Sequence, residues 1–224
     1  MVPDMTTLDI KICGLKTDEA LAAALAGGAS HVGFIFFPRS PRHVEPAEAG
    51  RLRRAALGKA KAVAVTVDAG DALLDAIVDA MAPDMLQLHG AETPARVAEV
   101  KARYGLPVMK ALSVREATDI SAARAYAGVA DRLLLDAKPP RGSELPGGNG
   151  VSFDWRLLAG ADAGLNYMLS GGINAANIGT ALSLARPSGI DVSSGVESAP
   201  GVKDPALIAA FFRAVAAARG RDAA

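Results

Sequence analysis

The stretch LDIKICGLKTDEALAAALA, residues 8–26, shows the pattern on which the whole chain is built. Leu8–Cys13 is a short aliphatic run with the alternation typical of a strand, and Thr17–Ala26 is alanine-rich with helical spacing. Seven more short apolar runs follow, most of them separated by similar helical segments. Because strand and helix alternate, we predict a parallel sheet.

About eight strands is the number that a closed parallel barrel requires, so we predict an α/β fold with a single (β/α)8 TIM barrel. The predicted strands are Leu8–Cys13, Val32–Phe37, Ala62–Val67, Met85–Leu88, Val108–Leu112, Arg132–Asp136, Tyr167–Ser170 and Ile190–Ser193. The predicted helices include Thr17–Ala26, Ala72–Met81, Pro94–Tyr104, Ala117–Tyr126, Ala176–Leu184 and Pro205–Ala218. Thr93 and Asp204 each precede a proline, as helix N-caps often do.

Length and composition limit the classes of function. The 224 residues fit one domain, with a structured core over about 8–218. The formal net charge is zero, which favours a small-molecule substrate over nucleic acid or an anionic membrane. No segment has the length and apolarity of a signal peptide or a membrane span, and Cys13 is the only cysteine, so we expect a soluble cytoplasmic protein. The three histidines lack metal-ligand spacing, and we expect no metal.

The first candidate site residues lie where the first strand ends. Active sites of such barrels lie at the carboxyl ends of the strands, and Cys13 closes the first strand just before Gly14. A lone cysteine is often a small core residue, but this position also suits a nucleophile or a base. Lys11 should point into the barrel, where it either binds substrate or pairs with a carboxylate.

Three other polar residues follow apolar strands. Arg42 lies in the stiff loop after the second strand, either as a ligand for a carboxylate or as an ordinary loop cation. Asp136 closes the sixth strand, where low dielectric suits a general acid, although a nearby lysine would instead form a structural pair with it. His89 follows the fourth strand and either contacts substrate or is satisfied locally.

Glycine-bearing turns follow the seventh and eighth strands. Gly171 and Gly172 lie in the first turn, and Ser194 and Gly195 lie in the second. Barrels commonly bind phosphate with backbone N–H groups at these two places. The loop 137–152, rich in proline and glycine, follows Asp136 and is predicted to close as a lid; its glycines at 147–150 add a third wall or only flexibility.

Six motifs in order along the chain resemble the phosphoribosylanthranilate isomerase family, over about residues 11–204. They are Lys11-Ile12-Cys13-Gly14-Leu15, Gln87-Leu88-His89-Gly90, Leu135-Asp136-Ala137-Lys138, Phe153-Asp154-Trp155, Ser170-Gly171-Gly172-Ile173-Asn174 and Asp191-Val192-Ser193-Ser194-Gly195-Val196-Glu197. Agreement among several separated motifs is more specific than any one of them.

The resemblance implies a cofactor-free Amadori rearrangement of a phosphoribosyl anthranilate in tryptophan biosynthesis. It implies that Cys13 is the general base, that Asp136 is the general acid and that Arg42 binds the anthranilate carboxylate. It also implies a phosphate site on Gly171, Gly172, Ser194 and Gly195.

Two alternatives are weighed against this interpretation. One is another phosphate-binding barrel, such as indole-3-glycerol phosphate synthase or a histidine-pathway sugar isomerase, in which we would expect different catalytic residues in place of Cys13. The other is a non-catalytic sugar-phosphate-binding barrel, which predicts binding without turnover. The sequence leaves the oligomeric state open between a monomer and a homodimer.

Overall fold

The computed structural model is a closed barrel of eight parallel strands, in the order β1 to β8, surrounded by helices. It describes residues 8–138, 147–148, 150, 152–158 and 165–222. The strands are β1 Asp9–Cys13, β2 His31–Phe36, β3 Lys61–Thr66, β4 Met85–Leu88, β5 Val108–Val114, β6 Arg132–Ala137, β7 Tyr167–Leu169 and β8 Gly189–Val192. The predicted TIM-barrel fold is confirmed.

Seven α-helices are described outside the barrel. They are α1 Asp18–Ala26, α2 Pro46–Ala56, α3 Asp71–Met81, α4 Pro94–Tyr104, α5 Ala117–Ala123, α6 Ile178–Ala185 and α7 Pro205–Asp222. α2 was not among the helices predicted from the sequence, although Pro46 at its start is a helix-initiation signal. The helix predicted over Ala117–Tyr126 ends early and continues as a 3₁₀ turn, Arg124–Tyr126.

Both predicted N-caps are present. The Thr93 side chain accepts a hydrogen bond from the backbone N–H of Arg96 at 3.2 Å. The Asp204 carboxylate accepts from the N–H of Ala206 at 2.7 Å, which satisfies a donor that the first turn of α7 leaves free. These caps fix where α4 and α7 begin.

Two apolar layers hold the barrel together. Between the strands and the helices lies the larger layer, which includes Phe34, Leu52 and Phe211. Inside the barrel lies a smaller cluster of alternate strand residues, made of Cys13, Val63, Val65, Met85, Met109, Ala111, Leu134 and Met168. Because neighbouring strand residues point to opposite sides, Cys13 lies in the interior while Ile12 packs against the helices.

Short elements also occur between β6 and β7 and after β8. A 3₁₀ turn, Trp155–Leu158, stands between β6 and β7, and most of the predicted 137–152 lid lies outside the described residues. After β8, the 3₁₀ turn Ser194–Val196 leads into an antiparallel pair, β9 Glu197–Ala199 and β10 Val202–Lys203, that the sequence analysis did not anticipate. Within the described part of the chain, no helix is long and apolar enough to cross a membrane.

Candidate active site

A cleft opens at the carboxyl ends of the strands, with an empty volume of about 760 Å³ including the space open to solvent. Seven of the nine predicted site residues line it: Cys13, Arg42, His89, Asp136, Gly171, Gly172 and Ser194. Lys11 and Gly195 are not among the residues that line it. Strand ends and the loops that follow them therefore bring together residues from six separate parts of the chain.

Cys13 and Lys11 share the barrel interior because they are two residues apart on β1. Cys13 is 5% exposed and Lys11 is fully buried. In β2, Gly33 pairs with Cys13, and a Cβ atom at Gly33 would lie 2.9 Å from the Cys13 Sγ and 3.1 Å from the Lys11 Nζ. The missing side chain at Gly33 therefore provides the space that the thiol and the ammonium occupy.

Lys11 forms a buried ion pair with Asp191. Closure of the barrel pairs Lys11 of β1 with Asp191 of β8, and the Nζ lies 2.8 Å from the Oδ1. Ser170 donates a hydrogen bond to the other carboxylate oxygen at 3.3 Å. Burial alone would lower the pKa of Lys11, but Asp191 and then Cys13 outweigh it, and the pKa is raised. Lys11 therefore stays charged, and pairing with a carboxylate is the alternative that the structure supports.

The Cys13 thiol lies between opposing electrostatic influences. Burial raises its pKa above the ordinary value, because a thiolate loses hydration in the barrel interior. The nearby Lys11 ammonium acts in the other direction, whereas Asp191 adds to the increase. The net shift is upward, so the thiol form dominates at neutral pH.

Asp136 is 4% exposed at the end of β6. Its Oδ1 accepts the backbone N–H of Ala137 at 2.8 Å, and its Oδ2 lies 3.3 Å from the His89 Nε2. Lys138, the lysine nearest to Asp136 in sequence, has its Nζ 3.8 Å from a carboxylate oxygen of Asp119.

His89 connects Asp136 to the interior of the barrel. Its Nδ1 lies 3.1 Å from the Gln87 Nε2, and the Gln87 side chain is fully buried on β4. With the Gln87 amide as a donor, the neutral imidazole carries its proton on Nε2, facing Asp136. His89 is thus held by partners on both sides and also borders the cleft.

Arg42 is held by a carboxylate that the sequence analysis did not assign. Its Nε and Nη2 donate to the two oxygens of Glu197 at 2.7 and 2.8 Å, and Nη2 also donates to the carbonyl of Gly148 at 3.2 Å. The Arg42 side chain is only 5% exposed, so it is not an ordinary solvated loop cation. An apolar wall of Ile35, Phe37, Val65 and Val67 lines the same cleft.

The two glycine turns lie next to each other across the top of the barrel. Gly171 and Gly172 have φ values of +90° and +63°, which favour glycine. A Cβ at Gly171 would lie 2.6 Å from the backbone nitrogen of Ala137, and one at Gly195 would lie 1.9 Å from the carbonyl oxygen of Ile173. Side chains are excluded here, so the backbone forms the wall of the cleft.

Sequence reasoning assigned no role to five residues that build this site: Gly33, Ser170, Asp191, Glu197 and Lys203. A glycine within a strand is a signal of close approach that could have identified Gly33. The pairings of Asp191 and Glu197 have no local signal, because their partners are 180 and 155 residues away. Among the described residues, no group of three or more His, Cys, Asp or Glu side chains is arranged to hold a metal.

The family model described as "N-(5'phosphoribosyl)anthranilate (PRA) isomerase" matches residues 10–214. A relative named N-(5'-phosphoribosyl)anthranilate isomerase, from Mesorhizobium japonicum, is 77% identical over 97% of this chain and 99% of its own length.

Two solved structures share the fold and the sequence pattern. One contains monomers of the dimeric phosphoribosylanthranilate isomerase from Thermotoga maritima, with a TM-score of 0.81 and 30% identity over 96% of this chain and 100% of that chain. The other is a phosphoribosyl anthranilate isomerase in complex with reduced 1-(o-carboxyphenylamino)-1-deoxyribulose 5-phosphate. Its TM-score is 0.82 and its identity is 30%, with the same coverage. The chain thus belongs to the PRA isomerase family.

Proposed function

We propose that this chain converts N-(5-phosphoribosyl)anthranilate into 1-(2-carboxyphenylamino)-1-deoxyribulose 5-phosphate, an Amadori rearrangement in tryptophan biosynthesis. The observation that carries the proposal is a buried thiol and a buried carboxylate, Cys13 and Asp136, at the ends of strands on the wall of one cleft. The related structure in complex with the reduced product supports a phosphorylated sugar bearing a carboxyphenylamino group as the substrate class.

Asp136 is the proposed general acid. It donates a proton to the furanose ring oxygen as the bond from that oxygen to C1 breaks, which leaves an iminium between C1 and the anthranilate nitrogen. His89 lies 3.3 Å from the carboxylate, so it orients Asp136 and also reaches the substrate side of the cleft.

Cys13 is the proposed general base. As thiolate it removes the proton from C2 of the sugar, and the electron pair of that bond forms the enolamine while the iminium nitrogen is neutralised. The enolamine then gains a proton at C1 and loses the C2 hydroxyl proton to become the ketone. Because burial raises the pKa of Cys13, the thiolate needs help, and the Lys11 ammonium and the substrate iminium are the proposed sources.

The remaining predicted residues divide between the two ends of the substrate. Backbone N–H groups around Gly171, Gly172, Ser194 and Gly195 would bind the phosphate. At the other end, Arg42 would bind the anthranilate carboxylate, and the apolar wall beside it would hold the aromatic ring. Lys11 is not among the residues that line the cleft. Direct contact between Lys11 and the substrate stays a prediction.

The test is turnover with substrate generated in situ, followed by the loss of anthranilate-type fluorescence. We expect Cys13→Ser and Asp136→Asn each to lower kcat by about 100-fold or more, since each removes a proton-transfer group. Asp75→Asn is the matched control, because the side chain of Asp75 is exposed and pairs with Arg103 away from the cleft.

Wild-type turnover in both site variants would refute the assigned roles. Binding of the reduced product analogue by the wild type, without turnover of substrate, would instead favour a non-catalytic barrel. Size-exclusion chromatography distinguishes the two oligomeric states that the sequence leaves open, a monomer and a homodimer.

A further inference from the structure

Glu197 lies between two buried cations. Arg42 donates two hydrogen bonds to its carboxylate, and Lys203 of β10 contacts the Oε1, which also accepts from the Arg42 Nε. None of the three side chains is more than 5% exposed. Glu197 thus joins the loop after β2 to the antiparallel pair after β8.

The charges of this group do not cancel. Two cations share one carboxylate, and no other ion-pair partner of Arg42 or Lys203 is recorded among the described residues. Burial lowers the pKa of Lys203, Glu197 opposes this, and Arg42 adds to the decrease. A buried group with an excess of one positive charge is stabilised by a further anion.

The orientation of Arg42 indicates where that anion would lie. Its Nε and Nη2 are occupied by Glu197, whereas Nη1 has no hydrogen-bond partner among the described residues. Arg42 and the apolar wall line the same cleft. Nη2 also donates to the Gly148 carbonyl, so a carboxylate on an aromatic ring held by that wall would meet Nη1.

We propose that Glu197 and Lys203 are positioning residues that hold Arg42 in place for the carboxylate of the substrate. The inference rests on the proposed function, in which Arg42 binds that carboxylate. Glu197 fixes the plane of the guanidinium through two hydrogen bonds, and Lys203 fixes Glu197. Lys203 also donates to the carbonyl and the hydroxyl of Ser193, both at 3.2 Å, which anchors it to the end of β8.

The test compares two ligands that differ only in the carboxylate. One is reduced 1-(o-carboxyphenylamino)-1-deoxyribulose 5-phosphate, and the other is the same compound with an unsubstituted phenyl ring. In the wild type we expect the carboxyphenyl ligand to bind roughly ten- to a hundredfold more tightly, the range for a hydrogen bond to a charged group. Isothermal titration gives both affinities.

In Lys203→Met and in the milder Glu197→Gln we expect this preference to fall to within about threefold, while affinity for the phenyl ligand changes by less than about threefold. In turnover, Glu197→Gln should raise KM and change kcat little, because neither the acid nor the base is altered. Lys203→Met should raise KM and also lower kcat, because the Lys203 ammonium lowers the pKa of Cys13. Lys101→Met is the control, since Lys101 also pairs with a carboxylate, Asp131, but is exposed and remote from the cleft.

The outcomes distinguish failure of the positioning role of Glu197 and Lys203 from failure of the carboxylate role of Arg42. Loss of the preference with phenyl affinity retained supports the positioning role. A wild-type preference in both variants, or an equal loss of affinity for the two ligands, would overturn it. If Arg42→Ala itself keeps the preference, the carboxylate role of Arg42 in the proposed function fails first, and the positioning role fails with it.

Discussion

Acid should destabilise this barrel through His31, which is buried at the amino-terminal end of β2. His31 is 2% exposed, and its Nδ1 shares a 2.8 Å hydrogen bond with the Ser30 hydroxyl. Burial lowers the pKa of His31 from 6.5 to about 4; Asp9 opposes this, and Arg132 adds to it. The folded protein therefore holds a neutral imidazole where the unfolded chain would bind a proton.

The sign and size of the effect follow from proton linkage. Because the folded pKa lies below the unfolded value, stability is fully present above pH 6.5 and is lost as the pH falls toward 4. Each pH unit within this window costs about 1.4 kcal/mol, so the free energy of unfolding should drop by about 2 kcal/mol between pH 7 and pH 5. Most carboxylates remain ionised in this range, which isolates the histidine.

Urea unfolding at pH 7, 6 and 5 measures this, with the fluorescence of the buried Trp155, the only tryptophan, as the signal. Between pH 7 and pH 5, the free energy of unfolding of His31→Gln should fall by about 2 kcal/mol less than that of the wild type, whatever its stability at pH 7. His43→Asn serves as the control, because the His43 side chain is 24% exposed and should leave the dependence intact. Equal slopes in His31→Gln and the wild type would refute the reasoning.

Two glycine substitutions test the geometry of the cleft. In Gly33→Ala the new Cβ would lie 2.9 Å from the Cys13 Sγ, so the thiol must move. We expect kcat to fall about tenfold or more in a steady-state assay, with KM nearly unchanged. A wild-type kcat in this variant would contradict the assigned geometry. In Gly195→Ala the Cβ would lie 1.9 Å from a backbone oxygen, so the proposed phosphate wall must shift and KM should rise about tenfold. Gly179→Ala, on a helix with its nearest neighbour at 3.8 Å, should leave both constants unchanged.

Much of the barrel could be predicted from local patterns. The apolar runs predicted all eight strands to within one or two residues at each end, because burial of one or both faces of a strand requires a regular pattern of apolar residues. The caps Thr93 and Asp204 were predictable for the same local reason. The pair β9 and β10 was not, since two- and three-residue strands carry too short a pattern.

The location of the site followed from the fold class. In a parallel barrel all strands end on the same side, so Cys13, His89 and Asp136 could be expected to share one cleft. The glycine turns after β7 and β8 were expected beside them, and the structure brings Gly171 and Ser194 to the same wall.

By itself, then, the sequence determined the alternation of strands and helices, the side of the barrel that bears the site and the residue types available there. Only the tertiary structure decided the partners: Asp191 for Lys11, Glu197 for Arg42 and the open space at Gly33 for Cys13. The physical reason is that these contacts depend on barrel closure and strand register, which join segments far apart in the chain, whereas sequence patterns report only local periodicity.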